Sequence, residues 1–263
     1  MGAENTVSEG EFAGYQDLAA YYDLIMGDRR PFIDFYVSLL SPPDRSVLDI
    51  GCGSGSVTAE MARALRESDG GRKVRIAGID GSEAMLAAAA RRDAAIAWIL
   101  GDIRDLPVAG PFDLAICTYN TYQHVDMEGL RQAFRSARSI LRAGGRLAFD
   151  IYQPNLGYIR IPQRSRLAFS ILHDDGRLLE VRENTDYDEA SRILLVDWTL
   201  READDAQALP LAHTRYRMWQ HPPHEVENAL ADASLMIEER YGGLDRAPFD
   251  RASKKQVVVC RAV

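Results

Sequence analysis

Between Val47 and Asp150 the chain alternates short apolar runs with longer stretches in which apolar residues recur every three or four positions. The longer stretches predict helices at 56–68 and 130–141, and the glycine pair at 144–145 is expected to end the second helix. This alternation is typical of a mostly parallel α/β sheet covered on both faces. The short runs predict five strands: 46–50, 74–79, 96–100, 112–117 and 145–151.

From about Arg160 to Gln220 the rhythm changes to alternating apolar and polar positions without a strong helical pattern. Within 192–201 the four apolar residues Leu194, Val196, Trp198 and Leu200 share one strand face. This alternation predicts an antiparallel β insertion.

After Pro222 and Pro223 the earlier pattern returns, with a helix predicted at 224–233 and strands predicted at 236–241 and 256–262. We therefore expect one α/β sheet of seven strands, six of them parallel and the last antiparallel. The predicted division of the chain is an N-terminal helical lid at 1–45, a core at 46–159 and 221–263, and an antiparallel β cap at 160–220.

Composition and charge narrow the range of partners. The 263 residues carry a net charge of -8, which disfavours binding to nucleic acid or to an anionic membrane surface. The acidic, polar N-terminus and the short apolar runs favour a cytoplasmic protein without membrane contact. The cysteines Cys52, Cys117 and Cys260 lie far apart and lack metal-ligand spacing, so no metal site and no disulfide framework are expected. Whether the protein forms a homo-oligomer is left open by the sequence.

A glycine-rich segment, VLDIGCGSGS at 47–56, follows the first predicted strand and leads directly into a helix. Gly51, Gly53 and Gly55 allow a sharp turn and let a ligand approach the backbone closely, because no Cβ stands in the way. A dinucleotide-binding fingerprint would have glycine where Ser56 stands, so the segment disfavours a nicotinamide cofactor.

Two carboxylates follow the next two predicted strands. Asp80 ends the strand of the segment GIDGSEAML, and Asp102 begins the segment GDIRDLP. Open α/β sheets bind ligands at the carboxyl ends of their strands, where Asp80 would accept hydrogen bonds from ribose hydroxyls and Asp102 from an adenine amino group. Asp80 alone would more often be a helix cap, since Gly81 and Ser82 open a helix.

Taken together, these segments resemble the class I S-adenosylmethionine-dependent methyltransferases, over Val47 to about Asp150 and in the right order. The resemblance implies a Rossmann-like sheet and S-adenosylmethionine as cofactor. It further implies that the loop 51–55 holds the methionine part and Asp80 the ribose, with Gly81 beside it. The remaining implied cofactor contacts are Met85 and Ile103 on the adenine faces, Asp102 on its amino group, and a backbone carbonyl at or beside Cys117.

The N-terminal segment contributes two tyrosines to the prediction. If 11–26 is helical, Tyr15 and Tyr22 share a face, which is equally the pattern of a core-packing stripe with Leu18. In the small-molecule methyltransferases that this chain resembles, including those that methylate amino sugars of natural products, an N-terminal helix closes over the cofactor. The resemblance then implies that Tyr22 contacts the methionyl end and Tyr15 the substrate.

The turn after the fourth strand, CTYNTYQHVD, is dense in polar aromatic residues. His124 is the candidate general base, because an ordinary histidine pKa near 6.5 suits proton removal at neutral pH. Tyr119 and Tyr122 are candidate substrate contacts, with core packing as the alternative. On the cap, His213, Arg215 and Arg217 alternate with Thr214, Tyr216 and Met218, so one strand face is charged. Arg215 on that face is a candidate substrate contact, although such a face is more often solvated.

The sequence therefore predicts methyl transfer from S-adenosylmethionine to a small molecule, with His124 and Tyr22 beside the reacting methyl group. Methylation of an amine in secondary metabolism is the leading hypothesis. Methylation of a hydroxyl and a non-catalytic S-adenosylmethionine-binding homologue are the alternatives. The sequence identifies neither the acceptor nor the number of methyl groups added.

Overall fold

Two β-sheets organise the part of the chain that the computed structural model describes, residues 18–68, 73–204 and 209–263. The larger sheet has seven strands: β1 Ser46–Ile50, β2 Arg75–Asp80, β3 Ala97–Leu100, β4 Phe112–Cys117, β5 Leu141–Tyr152, β10 Leu235–Tyr241 and β11 Lys255–Ala262. The smaller sheet has four strands: β6 Gln163–Leu172, β7 Leu178–Asp188, β8 Ile193–Glu202 and β9 Ala212–Trp219.

The strand order of the larger sheet is β10-β11-β5-β4-β1-β2-β3. β11 runs antiparallel to both of its neighbours, whereas β1 to β5 pair in parallel. The predicted arrangement of six parallel strands and an antiparallel last strand is therefore confirmed. This order makes β1, β2 and β3 neighbours, so that Gly51, Asp80 and Asp102 follow three adjacent strand ends.

Helices cover both faces of the larger sheet and bury its apolar strands. The side chains of Val47, Leu48 and Ile50 on β1 are fully buried, as expected for a central parallel strand. Asp126 caps the helix that follows it by accepting a hydrogen bond from the Gly129 amide at 2.7 Å. The helices are Tyr22–Met26, Arg30–Val37, Ser56–Ser68, Glu83–Arg92, Met127–Ile140, Leu156–Ile159 and Pro223–Asp232, with a 3₁₀ helix at Thr121–His124.

The expected role of Gly144 and Gly145 as a helix stop is wrong. The helix Met127–Ile140 ends at Ile140, and β5 begins at the next residue. Both glycines lie inside β5, at the point where its pairing with β4 changes register. Gly144 has a φ of +70°, so the glycine permits a left-handed residue within a strand rather than at a helix end.

The four-stranded sheet is the antiparallel insertion expected over the cap, and its inner face packs against the N-terminal segment. Leu179, Val181 and Leu200 form a buried cluster with Leu18 and Ile25. The N-terminal segment therefore lies against the cap, and the seven-stranded sheet has its own buried clusters.

Candidate functional site

The glycine-rich turn lies at the carboxyl end of β1. Gly51, Gly53 and Gly55 have φ values of +72°, +53° and +76°, a region that favours glycine. The amides of Gly51 and Cys52 both donate to the Ile79 carbonyl oxygen, at 2.7 and 2.9 Å, which fixes the turn against the end of β2. Glycine at 55 also permits a close approach, because a Cβ there would lie 2.6 Å from Trp98 Cη2.

Asp80 lies beside this turn, as the convergence of adjacent strand ends requires. Its carboxylate accepts hydrogen bonds from the Gly53 amide at 2.8 Å and from the Ser82 amide at 2.9 Å. Burial raises the pKa of Asp80, and these backbone donors counteract that effect. Asp80 thus holds the glycine turn in place from the end of β2.

Asp49 lies at the carboxyl end of β1, immediately before the turn. Thr58 donates a hydrogen bond of 2.6 Å to its Oδ2, whereas Oδ1 is buried and has no hydrogen-bond partner among the described residues. Burial raises the pKa of Asp49 to about 7. A buried carboxyl oxygen without a partner is unusual in a folded protein and indicates a position where a ligand or water is expected.

The predicted adenine residues lie along the next strand ends. Met85 and Ile103 are buried, and Gly81 lies between Asp80 and the cap residue of the helix Glu83–Arg92. Asp102 is already engaged, because the Arg104 amide donates to Oδ1 at 2.8 Å and its guanidinium to Oδ2 at 2.5 Å. An adenine amino group would therefore share this carboxylate with Arg104.

Cys117 ends β4 and is fully buried. Burial raises the pKa of its thiol well above the usual value, so the thiol is protonated. The backbone contact that the resemblance implies at or beside Cys117 stays a prediction.

Arg29 is a site residue that the sequence analysis missed. Its guanidinium forms an ion pair of 2.8 Å with Asp23 and donates to the hydroxyls of Ser54 and Ser56, which flank Gly55. The same group lies 5.1 Å from the ring centroid of Tyr22. No local pattern distinguishes Arg29 from its neighbour Arg30, so only the structure reveals this buried cation beside the glycine turn.

A cavity of about 900 Å³ is lined in part by Tyr22, whose ring lies beside the turn at Gly53. It lies between the N-terminal segment, the loops after β4 and β5, the cap, and the loop before β11. Among the described residues that line it are Tyr22, Tyr119, Asn120, His124, Tyr152, Arg166, Glu183, Trp198, Tyr216 and Lys254.

Tyr22 and Tyr119 lie where the cavity meets the glycine turn. A Cβ atom at Gly53 would lie 3.4 Å from the Tyr22 ring. Tyr119 stacks on Phe32 with ring centroids 3.8 Å apart, and its hydroxyl is buried without a hydrogen-bond partner among the described residues. Burial raises the pKa of Tyr22 to about 12 and also raises that of Tyr119, so both hydroxyls are protonated donors at neutral pH.

His124 ends the 3₁₀ helix and faces the cap. Its Nδ1 lies 3.3 Å from the Arg217 carbonyl oxygen, and its ring meets Tyr216 edge-on at 5.9 Å. Donation from Nδ1 to that carbonyl places the lone pair of the neutral imidazole on Nε2. Burial lowers the pKa of His124 to about 4, so the ring is neutral near pH 7.

The turn that carries His124 is bonded to the end of the cap. Gln123 donates to the Trp219 carbonyl oxygen at 3.1 Å, and its own amide oxygen accepts from the Tyr152 amide at 2.8 Å. His221 Nε2 lies 3.3 Å and 3.1 Å from the carbonyl oxygens of Tyr122 and Val125. The cap thus fixes the position of the turn as well as covering it.

A buried carboxylate, Asp150, holds the loop that precedes this turn. Its Oδ1 accepts from the Tyr36 hydroxyl at 2.9 Å and the Tyr119 amide at 3.0 Å, and its Oδ2 lies 2.6 Å from Lys255 Nζ. Lys255 also donates to Asn120 Oδ1 at 2.9 Å. Tyr119 and Asn120 both have positive φ, and these bonds stabilise that unfavourable conformation.

Two predicted substrate residues lie elsewhere. Tyr122 is fully buried in the core between Phe134 and Phe149, so the core-packing alternative applies and Tyr122 does not line the cavity. The Arg215 side chain is 70% exposed and pairs with Asp197 at 2.7 Å, on the solvent face of β9. Strand alternation places Arg215 opposite Tyr216, the residue that does line the cavity.

Tyr15 lies outside the described residues. In the part of the chain that the structure describes, no cluster of three or more histidine, cysteine, aspartate or glutamate side chains is arranged to hold a metal ion. Within that same part, no helix combines the length and hydropathy needed to cross a membrane.

Comparison with known families identifies the region that carries the glycine turn, Asp80 and Asp102. A family model described as a methyltransferase domain matches residues 47–145. The predicted resemblance is therefore confirmed over the segments that suggested it, and the matched region ends within β5, before the cap.

Two curated relatives match 51% and 40% of this chain. An uncharacterized 37.1 kDa protein in a transposon of Streptomyces fradiae is 36% identical over 137 residues, 51% of this chain and 36% of that protein. A dTDP-4-amino-2,3,4,6-tetradeoxy-D-glucose N,N-dimethyltransferase of Saccharopolyspora spinosa is 32% identical over 105 residues, 40% of this chain and 39% of that protein. The chain thus matches less than half the length of these relatives.

Among solved structures, the similarity extends over nearly the whole chain. The CcbJ methyltransferase from Streptomyces caelestis has a TM-score of 0.75 at 20% identity, covering 95% of this chain and 98% of that one. At this identity the likeness establishes the fold, which is a Rossmann-like α/β fold. The predicted fold class is confirmed.

Proposed function

We propose that this chain is an S-adenosylmethionine-dependent methyltransferase that methylates a nitrogen atom of a small acceptor. One observation carries the proposal. The glycine turn, Asp80 and Asp102 meet at adjacent strand ends, and a cavity bordered by Tyr22 and His124 opens beside them. The relative from Saccharopolyspora spinosa, an N,N-dimethyltransferase by name, supports nitrogen as the atom methylated.

The residues present fit S-adenosylmethionine. The left-handed φ values of Gly51, Gly53 and Gly55 shape the turn after β1, and the Tyr22 ring lies 3.4 Å from the position of a Cβ at Gly53. The buried, unpartnered Oδ1 of Asp49 and the hydroxyl of Tyr119 supply an acceptor and a donor nearby. The Gly51–Gly55 turn would hold the methionine part, Asp80 the ribose, and Met85, Ile103 and Asp102 the adenine.

When bound, the cofactor supplies a methyl group on a sulfonium, which is already an activated leaving group. The protein then mainly positions the acceptor and excludes water. Tyr22 and Tyr119 would border the reacting centre from the N-terminal segment and from the loop after β4. We propose that the segment before β1 and the cap at 160–220 together enclose the acceptor.

Nitrogen is favoured over oxygen by the environment of His124. An imidazole whose pKa is lowered to about 4 is a weak base, because burial disfavours its charged form. Solvent can deprotonate an ammonium, whose usual pKa is near 10, before the nitrogen attacks, whereas an alcohol is far less acidic and depends on a strong base. His124 Nε2 would accept a hydrogen bond from the acceptor and orient it.

Calorimetric titration tests the cofactor, and mass spectrometry tests the reaction. We expect S-adenosylmethionine and S-adenosylhomocysteine to bind to the purified protein, and NAD to give no heat. A screen of small amines and their hydroxyl analogues should then yield products heavier by one methylene group from the amines. Binding of NAD instead would refute the cofactor assignment. Binding of the cofactor without any methylated product would favour the non-catalytic homologue, and products from alcohols alone would favour O-methylation.

A further inference from the structure

Four residues form a single row across the inner face of the cap. Arg166 on β6 is paired in register with Glu183 on β7, Glu183 with Trp198 on β8, and Trp198 with Thr214 on β9. Arg166, Glu183 and Trp198 all line the cavity. Three of the four residues of the row therefore face the cavity, and the Arg166 side chain is also partly exposed to solvent.

The polar groups of the row are bonded to each other. Arg166 Nη2 donates to Glu183 Oε1 at 2.5 Å, and Trp198 Nε1 donates to Glu183 Oε2 at 2.8 Å. The Trp198 ring is held edge-on by Phe169 and Tyr216, at 5.8 and 5.7 Å. The carboxylate and the indole are thus fixed in position before any acceptor binds.

The remainder of the cap surface around the row is largely apolar. Leu194, Val196 and Met218 line the same cavity. A partly buried ion pair at such a position contributes little to the stability of the folded protein. Apolar residues of similar volume in its place often give equal or greater stability. The Arg166–Glu183 pair on this inner face is better explained by recognition of a ligand than by stability of the sheet.

The chemistry of the pair selects a particular kind of group. Each carboxylate oxygen of Glu183 accepts one hydrogen bond here and has a further lone pair, and the Arg166 guanidinium has donors beyond the one used on Glu183. The pair is neutral overall, so Arg166 would offset the attraction of an ammonium to Glu183. A hydroxyl both donates to a carboxylate and accepts from a guanidinium, and therefore fits both members.

We propose that Arg166, Glu183 and Trp198 form a subsite for a hydroxyl-bearing ring of the acceptor, distinct from the nitrogen that is methylated. The hydroxyl bonds to Glu183 and Arg166, and the ring packs on Trp198. This inference rests on the proposed function, because it describes how the acceptor of that reaction is recognised.

The test uses simple amines that differ by one hydroxyl. The 2-, 3- and 4-aminocyclohexanols and cyclohexylamine are titrated into the protein saturated with S-adenosylhomocysteine, and affinities are measured by saturation-transfer NMR. For the wild type we expect at least one aminocyclohexanol to bind about tenfold more tightly than cyclohexylamine, the size of one hydrogen bond to a charged group. Glu183→Gln and Arg166→Gln should each remove most of this preference.

Glu180→Gln is the matched control. Glu180 lies on the same strand, is as buried as Glu183 and pairs with Arg182 at 2.6 Å, but it does not line the cavity. This variant should keep the preference. Equal binding of all four amines to the wild type, or an unchanged preference in both Glu183→Gln and Arg166→Gln, would overturn the subsite.

If the proposed function is wrong, the experiment gives a result that can be told apart from failure of the subsite. In that case S-adenosylhomocysteine would not bind, and the same titrations on the protein alone would still measure the hydroxyl preference. Arg166 is half exposed, so Arg166→Gln should fold even if the Glu183 variant does not. Melting curves of each variant identify any that is unfolded.

Discussion

Gly51 faces Thr121 so closely that a Cβ atom on Gly51 would lie 2.3 Å from Thr121 Cγ2. The turn after β1 thereby contacts the 3₁₀ helix after β4, which carries His124. The predicted cofactor side and the acceptor side of the site are in van der Waals contact at this point. A change in either loop is therefore expected to disturb the other.

Gly51→Ala should weaken binding of S-adenosylmethionine at least tenfold and destabilise the protein. The φ of +72° costs alanine about 1–2 kcal/mol, and the contact with Thr121 adds to it. Calorimetry and denaturant unfolding measure the two effects. Gly176→Ala is the control, because Gly176 has a φ of +88° but nothing within 4 Å of its Cβ position. The Gly176→Ala variant should have a lower free energy of unfolding but an unchanged affinity for S-adenosylmethionine.

Thr121→Ala should restore part of the affinity lost in Gly51→Ala, because it removes Cγ2 and Oγ1, the two atoms closest to the new methyl group. Non-additive binding in this double-mutant cycle would establish the contact. Fully additive losses would show that the two loops act independently.

Asp80→Ala should weaken cofactor binding by at least about tenfold, because two hydroxyl-to-carboxylate hydrogen bonds are lost. It also removes the acceptor of the Gly53 amide, so part of the loss comes from a less ordered turn. Titration calorimetry measures the affinity, with Asp186→Ala on the cap as control. Unchanged affinity would remove Asp80 from the site.

His124→Ala should lower turnover while leaving cofactor affinity unchanged. For an amine acceptor from the screen we expect a loss near tenfold, since solvent can take the proton before attack. A hydroxyl acceptor should lose about 10²- to 10⁴-fold. Turnover restored at high pH would indicate proton removal, and a loss independent of pH would indicate positioning. Wild-type turnover at every pH would exclude a catalytic role. His173→Ala, on the cap hairpin, is the control.

Tyr119→Phe and Tyr122→Phe should differ in effect although the two residues are three positions apart. The Tyr119 hydroxyl is a protonated donor in the cavity wall, so its removal should raise KM or lower kcat severalfold. Tyr122 lies in the core, so the Tyr122→Phe substitution should leave KM and kcat unchanged. Steady-state kinetics with the same acceptor compares them. A larger effect from Tyr122→Phe would contradict the structure.

The stability of the protein should depend on pH through His221. Burial lowers the pKa of His221 from 6.5 to about 4, below its unfolded value. The unfolded state therefore takes up the proton first, and the contribution of His221 is complete above pH 6.5 and is lost as pH falls towards 4. Between pH 7.5 and 5 this loss amounts to about 2 kcal/mol.

His221→Gln should remove that part of the pH dependence, as measured by denaturant unfolding at the two pH values. His224→Gln changes an exposed histidine on the next helix and serves as control. Equal pH dependence in the wild type and the His221 variant would show that His221 is accessible to protons in the folded state.

Much of the fold follows from local sequence pattern. The strands β1 and β4 and the helix Ser56–Ser68 have the predicted bounds, because continuous apolar runs and helical periodicity are properties of a few neighbouring residues. The cap was predicted from the two-residue period of its strands. Gly51, Asp80 and Asp102 were predicted to meet because parallel strands end at one edge. Gly144 is the exception, because a glycine in a left-handed conformation can either end a helix or interrupt a strand.

What the sequence alone could not provide is the choice among polar residues that share one pattern. Tyr119 and Tyr122 have the same pattern in the sequence, yet Tyr119, in the loop before the 3₁₀ helix, lines the cavity, whereas Tyr122, in that helix, is buried in the core. Arg215 and Tyr216 alternate on one strand, and only packing of the cap decides which of them faces inward. Arg29 and Glu183 join the site from segments far apart in the chain. Side-chain direction and long-range proximity depend on how whole elements pack, so the tertiary structure alone decided them.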